Sequence, residues 1–448
     1  MSLNYGMPAV SALLRRLIDV RPGEVSALLW ASLFYFCVLS AYYVIRPIRD
    51  AMGAESGVEN LPWLFTGTLV AMALVNPPYA ALVSRLPRLR FISVTYRFFQ
   101  ANLLIFFVLL STLSAAMQVW VGGVFFVWTS VFNLFVVSVF WAFIVDVFTR
   151  EQGTRLFGFI AAGATVGAMT GSAITAFLVE GLGATRLLLV SVVLLEVAVL
   201  AMRRLSHIAT ALQTSTGATQ ETAPIGGGMM AGFSRALSSP YLLNVSLYML
   251  LYTITSTVLY FQQVDIAATY FADRAARTGF FARVDLVVNA LTLVTQVFLT
   301  SRIMKALGVA LTLSILPALS VIGFAWLGAT PTIIAIVVFQ VLRRAGNFAI
   351  ARPTREVLFT VLSREDKYKS KSFIDTVVYR LGDQVGAWSY AGLLALGLTL
   401  SGIAFATVPI AAIWLANAFW LGRRQERLAR EGAGTEAAAP AETKAAAY

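Results

Sequence analysis

The chain is dominated by long runs of apolar residues, separated by short basic or glycine-containing segments. About twelve of these runs are long enough to cross roughly 30 Å of hydrocarbon as α-helices. The runs are continuously apolar and do not alternate over ten residues, which favours helices over a membrane β-barrel. The predicted spans are 25–45, 61–83, 91–113, 119–146, 156–179, 186–202, 240–263, 280–300, 308–328, 331–350, 372–397 and 401–421. We therefore predict an all-α polytopic membrane protein with twelve transmembrane helices.

Composition supports membrane insertion, because 58% of the residues are hydrophobic, only 12% are charged and the mean hydropathy is +0.78. A soluble globule could not cover so much apolar surface. The single cysteine, Cys37, excludes an intramolecular disulfide. The first apolar run is too long for a signal peptide and follows a basic amphipathic stretch at 8–22, which we expect to lie on the inner membrane surface.

Orientation follows from the basic loops. With the N-terminus inside, about 28 of the 34 Lys and Arg residues fall on the inner side and about 6 on the outer side. This distribution predicts a multi-pass membrane protein with both termini cytoplasmic. The net charge of +12 is scattered over loops and forms no basic, aromatic-rich patch. The lipid bilayer is therefore an expected partner, and nucleic acid is not.

The chain divides in the middle, where a segment rich in small, polar and glycine residues interrupts the apolar pattern. We predict a cytoplasmic amphipathic N-terminus at 1–23, a six-helix bundle at 24–202, a cytoplasmic linker at 203–239, a second six-helix bundle at 240–422 and a cytoplasmic tail at 423–448.

The two predicted bundles resemble each other in sequence. TREQGTRLFGFI at 149–160 matches SREDKYKSKSFI at 363–374, and a glycine pair follows each segment at an offset of about 215 residues. Two parallel six-span repeats around a central loop are typical of a major-facilitator-type transporter. In that fold the substrate site is expected near the bilayer midplane, between the halves.

The first span ends in a charged motif, YYVIRPIRDAMG. Tyr42, Arg46 and Arg49 are spaced by four and three residues and share one helix face. Arginine binds phosphate and carboxylate through two parallel hydrogen bonds, so these residues are candidates for binding an anionic substrate. Asp50 is a candidate coupling or gate residue. The alternative is that both arginines snorkel at the outer interface, held by Asp50.

A second charged motif occupies the eleventh span. Asp375, Tyr379 and Asp383 follow at intervals of four residues, and Arg380 lies three residues before Asp383. Arg380 and Asp383 would lie about 12 to 17 Å into the membrane. We predict substrate contacts for Tyr379 and Arg380, and coupling or gate roles for Asp375, Asp383 and Lys371 at the inner edge. The alternative is a structural ion pair.

Further candidates are weaker. Asp285 is a candidate coupling or gate residue and begins a polar face on the eighth span, which would either line a cavity or pack against a helix. Asp146 and Arg155 are predicted inner-gate residues, with a solvated loop as the alternative. The glycines at 163–171 indicate close helix packing and not a phosphate loop, because no GK[ST] follows them.

Enzyme motifs are missing from the sequence, which contains no metal-spaced His and Cys set, no serine elbow and no Walker motif. We therefore expect no cofactor and no enzymatic activity. Transport would have to be driven by gradients, through exchange or ion coupling.

Three segments suggest a family: YYVIRPIRDAMG, VVSVFWAFIVDVFTREQGTRLFGFIAAGATVGA and SREDKYKSKSFIDTVVYRLGDQVGAW. They resemble the bacterial ATP:ADP antiporter (nucleotide transporter) family, and the resemblance covers about 40–400 of the chain. It implies a twelve-span carrier of major-facilitator fold in the bacterial inner (plasma) membrane. Such a carrier exchanges ATP for ADP or moves related nucleotides, with basic residues holding the phosphates.

The resemblance assigns roles to individual residues. Arg46, Arg49 and Asp50 match the basic-x-x-basic-Asp element of the family's first span, whose second basic residue is expected to contact phosphate. The chain departs from the family at 129–133, which is neutral where an acidic residue is expected, and at Asp383, near an expected lysine.

The sequence therefore predicts a secondary active transporter that moves a nucleotide or another anionic, phosphorylated metabolite by alternating access, working as a monomer. A lipid flippase of the same fold and a non-transporting membrane receptor remain as alternatives.

Overall fold

A computed structural model describes residues 20–21, 24–85, 88–216, 239–362, 370–371 and 373–445. The regular elements in these ranges are all helical, with no strand among them, which confirms the predicted all-α fold. The α-helices are α1 (Val25–Glu55), α2 (Leu61–Arg85), α3 (Arg88–Thr112), α4 (Ala115–Val147), α5 (Arg150–Leu182), α6 (Ala184–Thr216), α7 (Pro240–Tyr270), α8 (Arg274–Phe298), α9 (Thr300–Ala329), α10 (Ile333–Gly346), α11 (Arg352–Leu358), α12 (Tyr379–Ala395) and α13 (Leu400–Ala445).

Eleven helical segments of the described chain are long and apolar enough to cross a membrane. They correspond to predicted spans one to ten and twelve. The predicted eleventh span, 372–397, contains a π-helical turn at Ile374–Val378 followed by α12, which has 17 residues. Charged side chains interrupt the apolar run there, and the predicted count of twelve spanning helices is not confirmed.

The first helix is longer than the apolar run that predicted it. It continues to Glu55, past the predicted end at residue 45, because buried apolar side chains such as Ile48 and Met52 extend its packed face. It ends before Gly57, whose φ of 85° is a left-handed conformation that glycine adopts readily at helix C-termini. The charged motif of the first span therefore lies inside α1.

Parts of the predicted organisation lie outside the described residues. These are the amphipathic N-terminal segment up to residue 19, the linker at 217–238 and most of the inner loop at 363–369. Residues 203–216 of the predicted linker are described and continue α6 as a helix.

The chain forms two compact units. Unit 1 contains Met1–Gly57, Gly67–Thr222 and Phe271–Leu286, and unit 2 contains Val58–Thr66, Ala223–Tyr270 and Val287–Tyr448. The start of α8 thus belongs to unit 1, although the repeat places that helix in the second half of the chain. The division into six-helix halves stays a prediction.

Helix α1 is the centre of unit 1 and packs on α4, α5 and α6. Aromatic rings join it to α4: Tyr35 stacks on Phe140 with ring centroids 3.9 Å apart, and Phe34 meets the same ring edge-on at 5.0 Å. Tyr96 of α3 packs against Phe34 and donates a hydrogen bond to the Val136 carbonyl oxygen at 3.0 Å. These contacts fix the position of α1.

Two glycines bring α5 against the backbone of α1. A Cβ added at Gly167 would contact the Phe36 carbonyl oxygen, and one added at Gly171 would contact that of Ser40. The Ser40 hydroxyl donates a hydrogen bond to the Gly167 carbonyl oxygen at 2.9 Å. This confirms that the glycines of the fifth span serve close helix packing.

Unit 2 contains the equivalent arrangement between α12 and α7. A Cβ added at Gly382 or Gly386 would lie 3.1 Å from the carbonyl oxygen of Leu250 or Ile254, respectively. These contacts repeat those of α5 with α1 at an offset of about 215 residues. The internal repeat predicted from sequence is therefore confirmed at this helix pair.

We predict that Gly167→Ala lowers the free energy of unfolding by about 1–3 kcal/mol, because the added methyl group meets backbone that cannot rotate away. Equilibrium unfolding in mixed micelles would measure this change. Gly158→Ala on the same helix is the matched control, since its Cβ has no heavy atom within 4 Å. Equal stability of the two variants would show that α5 and α1 approach less closely than described.

Candidate functional site

Four charged side chains meet inside unit 1. Helix α1 contributes Arg46, Arg49 and Asp50, and the first half of α8 contributes Asp285. The Arg46 Nη1 lies 3.5 Å from the Asp285 Oδ1, and the Arg49 Nε lies 3.2 Å from the Asp50 Oδ1. The Arg46 Nε also lies 4.0 Å from the Asp50 Oδ2. Two cations and two anions thus form one cluster with no net formal charge.

This cluster is largely withdrawn from solvent. The side chains of Asp50 and Asp285 are 5% and 2% exposed, and those of Arg46 and Arg49 are 20% and 15% exposed. Unpaired charges at such positions would be costly in a membrane, so each arginine needs its carboxylate.

Aromatic rings complete the surroundings of the arginines. The Arg49 guanidinium lies 4.2 Å from the centre of the Phe126 ring, and that of Arg46 lies 5.6 Å from the Tyr43 ring. Tyr42 packs edge-on against Tyr43 at 5.4 Å. Cation–π contacts of this kind stabilise a desolvated guanidinium without neutralising its charge.

The arginines of α1 lie well before the end of their helix. Arg46 lies about 14 Å of helix before the end of α1, and its guanidinium points to a buried carboxylate of another helix. The sequence did not predict the pairing of Arg46 with Asp285. It identified Asp285 as a candidate coupling or gate residue on a polar helix face, without this partner.

In unit 2, the predicted pair of Arg380 and Asp383 is confirmed, with the Arg380 Nη1 lying 3.3 Å from the Asp383 Oδ2. The Thr257 hydroxyl of α7 donates a hydrogen bond to the other carboxylate oxygen at 3.3 Å. The Arg380 guanidinium lies 5.8 Å from the centre of the Tyr379 ring. The roles of these residues in substrate binding or coupling stay predictions.

Asp375 belongs to a different set of contacts from Asp383. It lies in the π turn Ile374–Val378, so the α-helical rotation assumed between Asp375 and Tyr379 does not hold. Its Oδ1 lies 3.4 Å from the Arg355 Nη2. Lys371 forms an ion pair with Glu356, a residue that the sequence analysis did not select.

Glu24, at the start of α1, is the ion-pair partner of the predicted gate residue Arg155. The Glu24 carboxylate accepts hydrogen bonds from both terminal nitrogens of Arg155 at 3.0 and 3.2 Å. It also accepts one from the Gln152 amide at 3.0 Å and one from the Arg21 backbone N–H at 3.0 Å. Asp146, the other predicted gate residue, is exposed near the end of α4.

These bonds determine the protonation of Glu24. Burial by itself would raise the pKa of this carboxyl group, but hydrogen bonds from Arg155, Arg21 and Gln152 lower its pKa below the ordinary value of 4.5. Glu24 is therefore ionised at neutral pH and joins the first turns of α1 and α5.

A buried arginine in unit 2 was missed by the sequence analysis. Arg343 of α10 is 2% exposed and donates hydrogen bonds to the Ser320 hydroxyl at 3.1 Å, the Thr255 hydroxyl at 2.8 Å and the Tyr252 carbonyl oxygen at 3.2 Å. None of the ion pairs among the described residues includes it. The sequence feature that could have indicated this residue is the Arg343-Arg344 doublet within the tenth apolar run.

The helices of the described residues have a fold of major-facilitator type. The chain aligns with the crystal structure of a bacterial homologue of the human lysosomal transporter Spinster, with a TM-score of 0.57 and 15% sequence identity. The alignment covers 91% of this chain and 99% of that chain.

The family follows from sequence comparison. The family model described as TLC ATP/ADP transporter matches residues 99–425, so the chain belongs to this family. It is 21% identical to ADP,ATP carrier protein 2 of Chlamydia pneumoniae, over 94% of this chain and 92% of the relative. It is 23% identical to ADP,ATP carrier protein 1 of Chlamydia muridarum, over 94% and 93%. The predicted resemblance is confirmed, and the chain is a multi-pass membrane transporter. These comparisons do not favour the alternatives of a flippase or a receptor.

We predict that Glu24→Gln destabilises the protein at neutral pH by about 1–3 kcal/mol, because the charge-assisted bonds to Arg155 are lost. Since the folded pKa is lowered, the contribution of Glu24 is complete above about pH 4.5 and disappears as the pH falls through the folded value. Thermal unfolding of parent and variant over this pH range should therefore show a difference that shrinks in acid.

The control for this experiment is Glu151→Gln. Glu151 pairs with Arg21 at the same end of the unit, but both side chains are 66% exposed, so we expect little change at any pH. A Glu24→Gln effect that is constant with pH would contradict the ionised pair.

Proposed function

We propose that the protein exchanges adenine nucleotides, or a related phosphorylated anion, across the bacterial inner membrane by alternating access. The observation that carries this proposal is the arginine cluster of α1, which is buried within a span of a chain of the TLC ATP/ADP transporter family. The relatives named ADP,ATP carrier proteins support adenine nucleotides as the first substrates to test.

Arg46 and Arg49 are proposed to hold the phosphate groups. The two residues lie about one helical turn apart, so their guanidinium groups can bind oxygens of one polyphosphate. Asp285 and Asp50 form ion pairs with the arginines when no substrate is bound. An incoming phosphate competes with these carboxylates. Binding then replaces one set of charge-assisted hydrogen bonds by another, which limits the cost of desolvating the arginines.

The departures from the family pattern bear on the choice of substrate. Asp383 adds an anion near the position of an expected lysine, and 129–133 has no acidic residue. A screen should therefore include ATP, ADP, nucleoside monophosphates and sugar phosphates. We also propose that both termini are cytoplasmic, because most basic loops then lie inside. We further propose that the carrier is a monomer.

We predict that Arg49→Ala weakens binding of the nucleotide by about ten- to a hundredfold, because one charge-assisted contact to an anion is lost. Arg46→Ala should have a similar effect. Arg49→Lys should restore part of the affinity, since it keeps the charge but not the two-pronged geometry. Direct binding to purified protein and uptake into proteoliposomes should both be measured, because a gating defect would slow uptake and spare affinity.

The matched control is Arg283→Ala on α8. Arg283 pairs with Glu180 on the surface of unit 1, where both side chains are more than half exposed, so its loss should leave binding unchanged. If the Arg46→Ala and Arg49→Ala proteins bind nucleotide as tightly as the parent, the proposed role of the arginines is wrong.

We predict the opposite effect for Asp285→Asn. This change removes the carboxylate that competes with substrate for Arg46, so binding should tighten by up to about tenfold. Glu180→Gln, which removes an exposed carboxylate of the same unit, is the control. Weaker binding by a folded Asp285→Asn protein would show that Asp285 positions Arg46 for the substrate and does not compete with it.

A further inference from the structure

A polar cavity lies at the end of α1 that is opposite to Glu24. Its volume is about 360 Å³, and all of its lining belongs to unit 1. It forms where α1 ends and where α4 and α8 begin. The lining residues are Ala54, Glu55, Ala115, Gln118, Val119, Ala272, Arg274 and Arg277.

The position of the cavity separates it from the contacts described above. Because α1 has 31 residues, its two ends lie about 46 Å apart. The cavity therefore faces the other side of the membrane from Glu24 and Arg155. Along α1, Glu55 lies only about 9 Å of helix beyond Arg49.

One arginine of the cavity is fixed by its neighbours. The Arg274 Nε and Nη2 donate to the two carboxylate oxygens of Glu55 at 2.8 and 2.7 Å, and its Nη1 donates to the Gln118 side-chain oxygen at 3.2 Å. This bidentate pair holds the guanidinium plane in one orientation and balances its charge.

The second arginine leaves the cavity positive. The Arg277 Nε donates to the Phe271 carbonyl oxygen at 2.8 Å, and no ion pair in the described chain includes Arg277. The cavity thus contains two cations and one carboxylate, a net formal charge of +1. A hydrogen bond to a carbonyl oxygen orients the guanidinium and does not neutralise it.

The start of α4 adds to the positive electrostatic potential of the cavity. Ser114 makes no side-chain cap, so the first N–H groups of this helix at Ala115 remain without that partner beside the cavity. The positive end of a long helix favours an anion. This contribution supplements that of the arginines.

We propose that this cavity is a second anion site, which binds a phosphate-bearing solute through Arg277, with Arg274 held in place by Glu55. Its volume is at the lower end of that of ligand pockets, about 300–1,000 Å³, and suits a group the size of pyrophosphate. The site is independent of Arg46 and Arg49 and lies on the side of the membrane toward which α1 ends. It would make the first contact with a phosphorylated solute arriving from that side.

Cysteine protection tests the site without requiring transport. Ala115→Cys places an exposed reporter at the cavity, while the native Cys37 is buried and 2% exposed. Pyrophosphate should slow labelling of the reporter by a maleimide in purified protein. In an Arg277→Gln background, half-protection should require at least about tenfold more pyrophosphate, because the charge-assisted contact is lost.

Two controls make the result specific. Arg283→Gln removes an exposed arginine of the same helix and should leave the protection unchanged. A reporter at the exposed Thr330 should label at the same rate with and without pyrophosphate in every background, and Cys37 should stay unlabelled, which together show that the variants are folded.

The outcomes separate this site from the proposed substrate site. Protection at Ala115→Cys should persist in the Arg49→Ala protein, whether or not that protein still binds nucleotide. Absence of protection in the parent background, or protection that Arg277→Gln does not alter, would overturn the proposal.

Discussion

The neutral cluster of Arg46, Arg49, Asp50 and Asp285 is the constraint on which the rest of unit 1 depends. A charge in a membrane helix costs on the order of 3 kcal/mol unless water or an opposite charge meets it. The charge of Arg46 in α1 is balanced by Asp285 of α8 at 3.5 Å and by Asp50 at 4.0 Å. The position of α8 in unit 1 and the charged residues of α1 therefore depend on each other.

A cluster balanced in this way is suited to exchanging partners. The arginines already bind carboxylates, so in the proposed mechanism a phosphate would replace an anion of the protein. Arg343 in unit 2 illustrates the other solution, in which neutral hydroxyl and carbonyl acceptors satisfy a buried guanidinium. Those acceptors belong to the packed interior and offer no ionic partner for a solute to displace.

The helices that carry the charges are held by small residues. Gly167 and Gly171 let α5 reach the backbone of α1, and Gly382 and Gly386 let α12 reach that of α7. Close backbone contact restricts sliding and rotation of these helices, because no side chain lies between them to yield. Both units thus place their charged motifs on helices whose positions are closely defined.

The sequence by itself determined the helical class, eleven of the spans, the glycine contacts and the family, because transfer of apolar runs into lipid and spacing along one helix are local properties. It also predicted the pair of Arg380 and Asp383, which are three residues apart on one helix. Only the tertiary structure decided that Arg155 binds Glu24, that Arg46 binds Asp285 and that Asp375 lies in a π turn that precedes the helix of Asp383. Partners on different helices depend on how those helices pack, and periodicity along a single chain carries no information about that.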